Sequence, residues 1–519
     1  MTDLSPTQEL NREEPAVSSS QLRTRIQWIG LISGPILALV CYELLPTSYE
    51  NGSGETVAFL AAGRATLAVM VWMATWWITE ALDVSITALL PIGLFPILGI
   101  TTIRTACAPY AHEMIFLFMG GFLLALSMQR WGLDRRIALI TLKLVGTKPV
   151  NMVAGFMLAT AGLSAFVSNT ATTAMMLPIA LSVTDLVLKD RTDGQGRNFA
   201  LCLMLGVAYA ASIGGVATII GTPPNVFLIG FIKDQYDIEI SFVQWLAIGL
   251  PLTIVFLPLT WLLLTRVLYP IRLREIEGGA QLIASQYARL GPVNRGQWIT
   301  FIVFTLTALS WIFRPLLQKV SFSTVGGDVF PFDGLTDTGI VMIAAMLLFV
   351  IPVDIRQHTF TMNWETARKL PWGILILFGG GLSLAGAVRA NGVAEFIGAQ
   401  TVAFASMPNI LVVLLVVTMM IFFTELTSNT ATTATLIPIL AGLAAALGLH
   451  PFMLIVPATI AASYAFMMPV ATPPNAIVFG SGHVTIAQMC KAGLWLNIIG
   501  IALVTGLMYL IAKPLLHIP

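Results

Sequence analysis

The chain has 519 residues, of which 57% are hydrophobic and only 10% charged, and its mean hydropathy is +0.85. Soluble domains carry roughly a quarter charged residues, so this composition belongs to a protein that crosses a membrane many times. A net charge of +1, with basic residues in short loops and not in a patch, excludes nucleic acid as a partner. Cys41, Cys107, Cys202 and Cys490 stand apart in apolar sequence with no CxxC pairing and read as packing thiols.

Met1 to Arg25 is polar and lacks a signal-peptide core, which predicts a disordered cytoplasmic tail over 1–25. Apolar spans follow at Ile26 to Leu45, Arg64 to Ile78, Val84 to Ile100 and Met114 to Met128, with Glu80 and Asp83 marking a turn. The amphipathic piece from Arg130 to Lys148 holds Arg130, Arg135, Arg136, Lys143 and Lys148 against Asp134, which places it inside by the positive-inside rule. Counting back from it puts the N-terminus inside and the Asn51-Gly52-Ser53 glycosylation sequon outside.

Residues 150–188 are apolar except for a polar SNTATT in the middle. A straight helix of that length would run about 58 Å, nearly twice the roughly 30 Å hydrocarbon core, so the segment folds back. It makes either two short full spans or a re-entrant hairpin with its tip at mid-membrane, and the short arms favour the hairpin. Residues 198–232 are then broken at Gly221-Thr222-Pro223-Pro224-Asn225, where lost helical hydrogen bonds are tolerable only against protein or a wet cavity. A span from Phe242 to Tyr269 and an arginine-rich inside loop, 271–297, end the first half (26–270).

The second half, 298–519, carries spans at Trp298 to Phe313, Gly339 to Pro352 and Trp372 to Val388 and an amphipathic piece near 391–402. A second fold-back at 409–447 starts outside, so this half is inverted. Residues 451–480 break at Ala471-Thr472-Pro473-Pro474-Asn475, and Leu494 to Leu516 closes the chain outside. The expected fold is an all-α polytopic membrane protein with about 11 transmembrane helices and two re-entrant hairpins.

The halves are copies. SNTATTA occurs at 168–174 and at 428–434, an offset of 428 − 168 = 260. At the same offset Phe118, Gly120, Gly121, Ala125 and Gly132 meet Phe378, Gly380, Gly381, Ala385 and Gly392, Ser164 meets Thr424, and Pro178 meets Pro438. TPPN at 222–225 meets TPPN at 472–475. Inverted repeats with helices interrupted at matching positions are the signature of secondary transporters with a site between the halves. A fold-back tip leaves helix-end N–H groups for an anion, while hydroxyl, amide and carbonyl oxygens suit a hard cation such as sodium. The fold-backs and broken helices contain no Lys or Arg, so a dianion bound there needs helix dipoles and bound cations to offset its charge. Glu425 has no matching acid, its counterpart being Ala165, and a one-sided structural or electrostatic role is expected of it.

WWITEALDVSITALLP at 76–91, RIALITLKLVGTKP at 136–149, SNTATTAMMLP at 168–178 and SYAFMMPVATPPNAIVFGSGH at 463–483 resemble the divalent anion:sodium symporter family, in particular its di- and tricarboxylate branch. The resemblance implies a homodimer whose protomers each have a scaffold and a transport domain moving as an elevator in the plasma membrane. It also implies a first sodium site from Ser164, Ser168, Asn169 and the Gly221 backbone, and a second from Thr424, Asn429 and the backbones at Thr427 and Ala471. The substrate carboxylates would meet Asn169, Thr170, Asn429 and Thr430 beside Ser168 and Ser428, with Thr222, Pro223, Thr472 and Pro473 lining the sides.

The function expected is sodium-coupled symport of a small dicarboxylate such as succinate, malate or fumarate, with no enzymatic step and no organic cofactor. The rivals are a sodium-independent exchanger of the same fold, a citrate- or sulfate-selective symporter, a non-transporting receptor, and a membrane hydrolase using Ser168 or Ser428. His112, His358, His450, His483 and His517 fall at span ends or in loops, which leaves those serines without a base.

Overall fold

The computed structural model describes residues 19–50, 55–190, 194–324, 327–400, 407–516 and 518. The described residues are mainly helical, and their only strands form three short antiparallel ribbons in loops, Ser48–Glu50 with Thr56–Ala58, Phe322–Thr324 with Gly327–Val329, and Pro352–Asp354 with Thr359–Phe360. The sequon at 51–53 lies outside the described residues, as does the tail up to residue 18. The rest of the expected tail is ordered differently: helix Ser19–Leu44 already includes residues 19–25, whose Gln, Leu and Arg are good helix formers and extend the first span outward.

Nine described helices are long and apolar enough to cross a membrane. Seven are among the eleven expected spans, and the other two are the outgoing arms of the fold-backs. Val84–Ile97 and Asp337–Val350 are apolar helices of only 14 residues each. The turn expected at Glu80 and Asp83 is present: Glu80 ends the helix Ala61–Thr79 in the left-handed region, and Asp83 caps Val84–Thr87 by accepting the Ser85 N–H at 2.9 Å.

Each fold-back is two helices joined by four residues and packed on each other, Pro149–Ser164 with Asn169–Asp190 and Asn409–Thr424 with Asn429–Ala446. SNTATT is therefore not the loop, and the outgoing arms are longer than the sequence suggests. Ser168 and Ser428 are N-caps, their Oγ atoms accepting the N–H of Ala171 (3.3 Å) and Ala431 (3.5 Å), so the helix starts at the asparagine and carries the hydroxyl run in its first turns.

The broken helices also correct the sequence reading. The first runs Gly194–Gly215, opens over 216–222 with a short turn at Ile219–Gly221, and resumes at Pro223–Tyr236. The second runs Phe452–Ala462, opens over 463–472 and resumes at Pro473–Phe479. The proline pairs do not sit in the breaks. They begin the helices after them, where a fixed φ is helical and no N–H is missed.

The repeat extends to backbone conformation. Gly132 and Gly392, 260 residues apart, both lie at positive φ (67° and 70°) and turn the chain from a long helix into the amphipathic one, Leu133–Val145 or Val393–Ala399. Gly132→Ala is expected to lower stability by about 1–2 kcal/mol, the cost of a Cβ in the left-handed region, read as a fall in unfolding temperature in detergent.

The halves interleave. Pro473–Phe479 lies against Asn169–Asp190 and Gly194–Gly215, while Pro223–Tyr236 lies against Asn429–Ala446 and Phe452–Ala462. Each helix after a break thus packs on the other half's fold-back. Small residues make the approaches possible: a Cβ on Gly214 would fall on the Ala161 backbone, one on Gly249 on the carbonyls of Val216 and Ala217, and one on Gly493 on the Phe466–Met467 backbone. Gly249 and Gly493 thus back the two breaks at matching places. The loop 271–297 holds a further helix, Gly279–Ala288, which packs on Leu133–Val145, while Arg136 donates to the Gly291 carbonyl (2.8 Å) and to Gln297 Oε1 (3.0 Å).

Candidate functional site

An oxygen-rich cluster forms where the first fold-back tip meets its break, and a second group of hydroxyl and amide oxygens lies along the second tip. In the first, the Ser164 Oγ is fully buried, 2.5 Å from Asn169 Oδ1 and 2.9 Å from the Ala211 carbonyl. The Asn169 amide lies against Gly215, where a Cβ would meet its Oδ1 at 2.6 Å. The carbonyls of Gly215 and Ala165 crowd the Cα of Gly221, and the Thr218 hydroxyl donates to the Ala165 carbonyl, tying tip to break. Four of the residues the sequence singles out or flanks, Ser164, Asn169, Ala165 and Gly221, thus meet in one place.

In the second cluster Thr424 is fully buried, its hydroxyl donating to the Ile421 carbonyl at 3.1 Å, and Thr427 Oγ1 lies 2.9 Å from the Phe423 carbonyl and 2.7 Å from Thr432 Oγ1. Asn429 Oδ1 is buried without a protein hydrogen-bond partner. A buried acceptor left so is costly unless a ligand supplies its partner. Ala471 is buried and its N–H donates to the Met468 carbonyl at 3.2 Å.

The expected anion-facing residues have a different exposure. Thr170 and Pro473 are exposed and Ser168, Asn169, Pro223, Ser428, Asn429 and Thr430 partly so, whereas Ser164, Gly221, Thr424, Thr427 and Ala471 are buried. Thr222 and Thr472 are buried in extended backbone before their helices. The serine caps take the third N–H of each outgoing arm, leaving those of Asn169 and Thr170, and of Asn429 and Thr430, with no acceptor inside the helix. The first N–H groups of each outgoing arm thus belong to exposed or partly exposed residues, and residues 150–188, 198–232, 409–447 and 451–480 contain no Lys or Arg.

Two features are legible in the sequence only in part. Asn225 and Asn475, the last residues of the TPPN motifs, brace the breaks from behind: Asn225 Nδ2 donates to the Thr218 carbonyl (2.8 Å), and Asn475 Nδ2 to those of Ala465 (3.1 Å) and Met468 (3.0 Å). Glu425 is buried and accepts from the backbone N–H of Phe466, Met467 and Met468 and from Asn497 Nδ2. A repeated asparagine in an apolar motif marks the first and a lone acid the second, but the partners of Glu425 lie 41 to 72 residues away in sequence and could not be read from it.

Residues 58–518 match the family model described as the sodium:sulfate symporter transmembrane region. The chain belongs to that family. Among curated members, the sodium-dependent dicarboxylate transporter SdcS of Staphylococcus saprophyticus is 38% identical over 95% of this chain and 92% of its own length. SdcS of Staphylococcus aureus strain USA300 is 39% identical over the same shares. Solved structures share the fold at lower identity. The Alcanivorax borkumensis YdaH transporter superposes with a TM-score of 0.53 at 14% identity, covering 94% of this chain and 97% of its own. Neisseria gonorrhoeae MtrF gives 0.58 at 12% identity, over 95% and 96%. This family member is thus a multi-pass membrane transporter, its fold-backs and breaks lying within the matched region.

Proposed function

We propose that this chain carries a small dicarboxylate, of the succinate, malate or fumarate type, into the cell together with sodium. The observation that carries the reading is the pair of tips. Each offers uncapped N–H groups to a carboxylate and a cluster of neutral oxygens to a hard cation, with no side-chain cation to neutralise the anion. The names of the relatives support the same substrate and coupling ion. One carboxylate at each tip would use the crosswise packing of the halves, in which each helix after a break lies on the other half's fold-back.

The sodium ligands in this reading are Ser164, Ser168, Asn169 and the Gly221 backbone on one side, and Thr424, Asn429 and the backbones of Thr427 and Ala471 on the other. Asn169, Thr170, Asn429 and Thr430 meet the carboxylates beside Ser168 and Ser428, with Thr222, Pro223, Thr472 and Pro473 at the sides. The fold-backs are re-entrant, the N-terminus lies inside and the C-terminus outside in the plasma membrane, and lipid covers the apolar faces. Two copies form a dimer in which the fold-backs and broken helices move together against the remaining helices as an elevator.

Radiolabelled succinate uptake into proteoliposomes tests the coupling. Uptake driven by an inward sodium gradient is expected, and its loss when choline or potassium replaces sodium. Uptake that ignores sodium and requires internal dicarboxylate would establish exchange instead, and sulfate or citrate displacing succinate would reassign the substrate.

A further inference from the structure

The proposed ligands of the second sodium site come from two separate segments, the tip at 424–429 and the break at 463–472. One side chain holds these segments together. Glu425, 4% exposed, follows Thr424 directly, and its Oε1 accepts from Phe466 N–H (2.8 Å), Met467 N–H (3.0 Å) and Asn497 Nδ2 (2.8 Å). Its Oε2 accepts from Met467 N–H (3.0 Å) and Met468 N–H (3.1 Å). Among the described residues no ion pair includes it, so this buried carboxylate is held by neutral donors alone.

The first half solves the same problem differently. Ala165 occupies the matching position, and tip and break are joined there by the Thr218 hydroxyl on the Ala165 carbonyl, with the Ser164 hydroxyl near the Ala211 carbonyl in the helix before the break. Neutral hydroxyls are enough on that side, whereas the second side uses a full carboxylate. The consequence for geometry is specific. With the N–H groups of 466–468 turned toward Glu425 and the Met468 carbonyl taken by Asn475 and by Ala471 N–H, the path of the chain into Ala471 is fixed.

We propose that Glu425 is a positioning residue for the second sodium site: its carboxylate clamps the 466–468 peptides to the tip and thereby sets the place of the Ala471 backbone relative to Thr424 and Asn429. This rests on the symport reading above. Glutamine has the same shape but one acceptor oxygen in place of two, so at least one N–H would face an amide N–H, and alanine removes every bond. The unclamped break then binds sodium only after ordering itself, which lowers affinity for that ion while leaving the first site built.

The test measures sodium dependence of succinate uptake in proteoliposomes and sodium-induced thermal stabilisation of the detergent-solubilised protein, for wild type, Glu425→Gln and Glu425→Ala. For Glu425→Ala the half-saturating sodium concentration is expected to rise at least about tenfold, as for the loss of hydrogen bonds to a charged group. The Hill coefficient for sodium should fall, the thermal stabilisation by sodium should shrink, and Glu425→Gln should lie between. The KM for succinate at saturating sodium is expected to stay near wild type. Unchanged sodium dependence in both variants overturns the proposal, and so does a lower maximal rate with an unchanged sodium half-saturation, which marks a packing role. If the alanine variant does not fold, the same outcomes in Glu425→Gln decide. A wild-type protein indifferent to sodium would remove the symport reading and overturn the sodium-site role of Glu425 with it, whereas altered variants beside a sodium-dependent wild type test the clamp alone.

Discussion

Replacing Asn169 or Asn429 with alanine is expected to reduce sodium-driven succinate uptake by on the order of 100-fold, as fits the loss of about 3 kcal/mol when a group facing charge is removed. Both lie at the first helical position of an outgoing arm, directly after the serine cap, where the helix's first N–H groups have no acceptor within it. They differ in what else they do. Asn169 Oδ1 already accepts from Ser164, so Asn169→Ala also loses a native hydrogen bond and should lower stability by about 1 kcal/mol. Asn429 Oδ1 has no protein partner, so Asn429→Ala should leave stability without sodium unchanged or slightly raised. Uptake assays with thermal unfolding of the purified variants separate the two effects. Wild-type uptake in either variant would remove that asparagine from the site.

Gly214→Val is expected to be the most damaging single change in the packing. The first broken helix and the incoming arm of the first fold-back touch at Gly214 and Ala161, where a Cβ would fall on the Ala161 backbone. Backbone against backbone cannot yield by a rotamer change, so the helices must separate along their contact and lose the tip geometry with it. A cost of about 3 kcal/mol or more is expected, at the upper end for overpacking. It should appear as a loss of monodisperse protein after solubilisation and of all uptake. Gly206→Ala, two turns earlier on the same helix, meets the flexible Met157 side chain at 3.1 Å and Val153 Cγ1 at an ordinary 3.5 Å, and serves as the tolerated control. Equal behaviour of the two variants would contradict the close-contact argument.

Much of this architecture was legible because the chain states it twice. SNTATTA and TPPN at nearly constant offsets gave two fold-backs and two interrupted helices, and the structure has both pairs. What periodicity cannot give is where a helix begins in a wholly apolar segment. Ser168 acts as a cap and not as a loop residue, which lengthens the outgoing arm, and the proline pairs start helices that they seemed to break. The oxygens of the candidate site were partly visible as Ser164, Asn169, Thr424 and Asn429. The backbone carbonyls of Ala165 and Gly215 were not, because every residue has one and only the fold decides where it points. Glu425 stood out as a lone acid in an apolar arm, but its partners at 466–468 are set by tertiary packing.

The glycines behind the breaks have a consequence for fidelity. Gly249 and Gly493 let the following helix press its bare backbone onto Val216–Ala217 and Phe466–Met467, with no side chain between and no room there for a water file. At these two contacts each break is closed on its rear side by protein backbone. In the symport proposed above, closure of that kind is expected to limit slippage, the passage of sodium without its passenger.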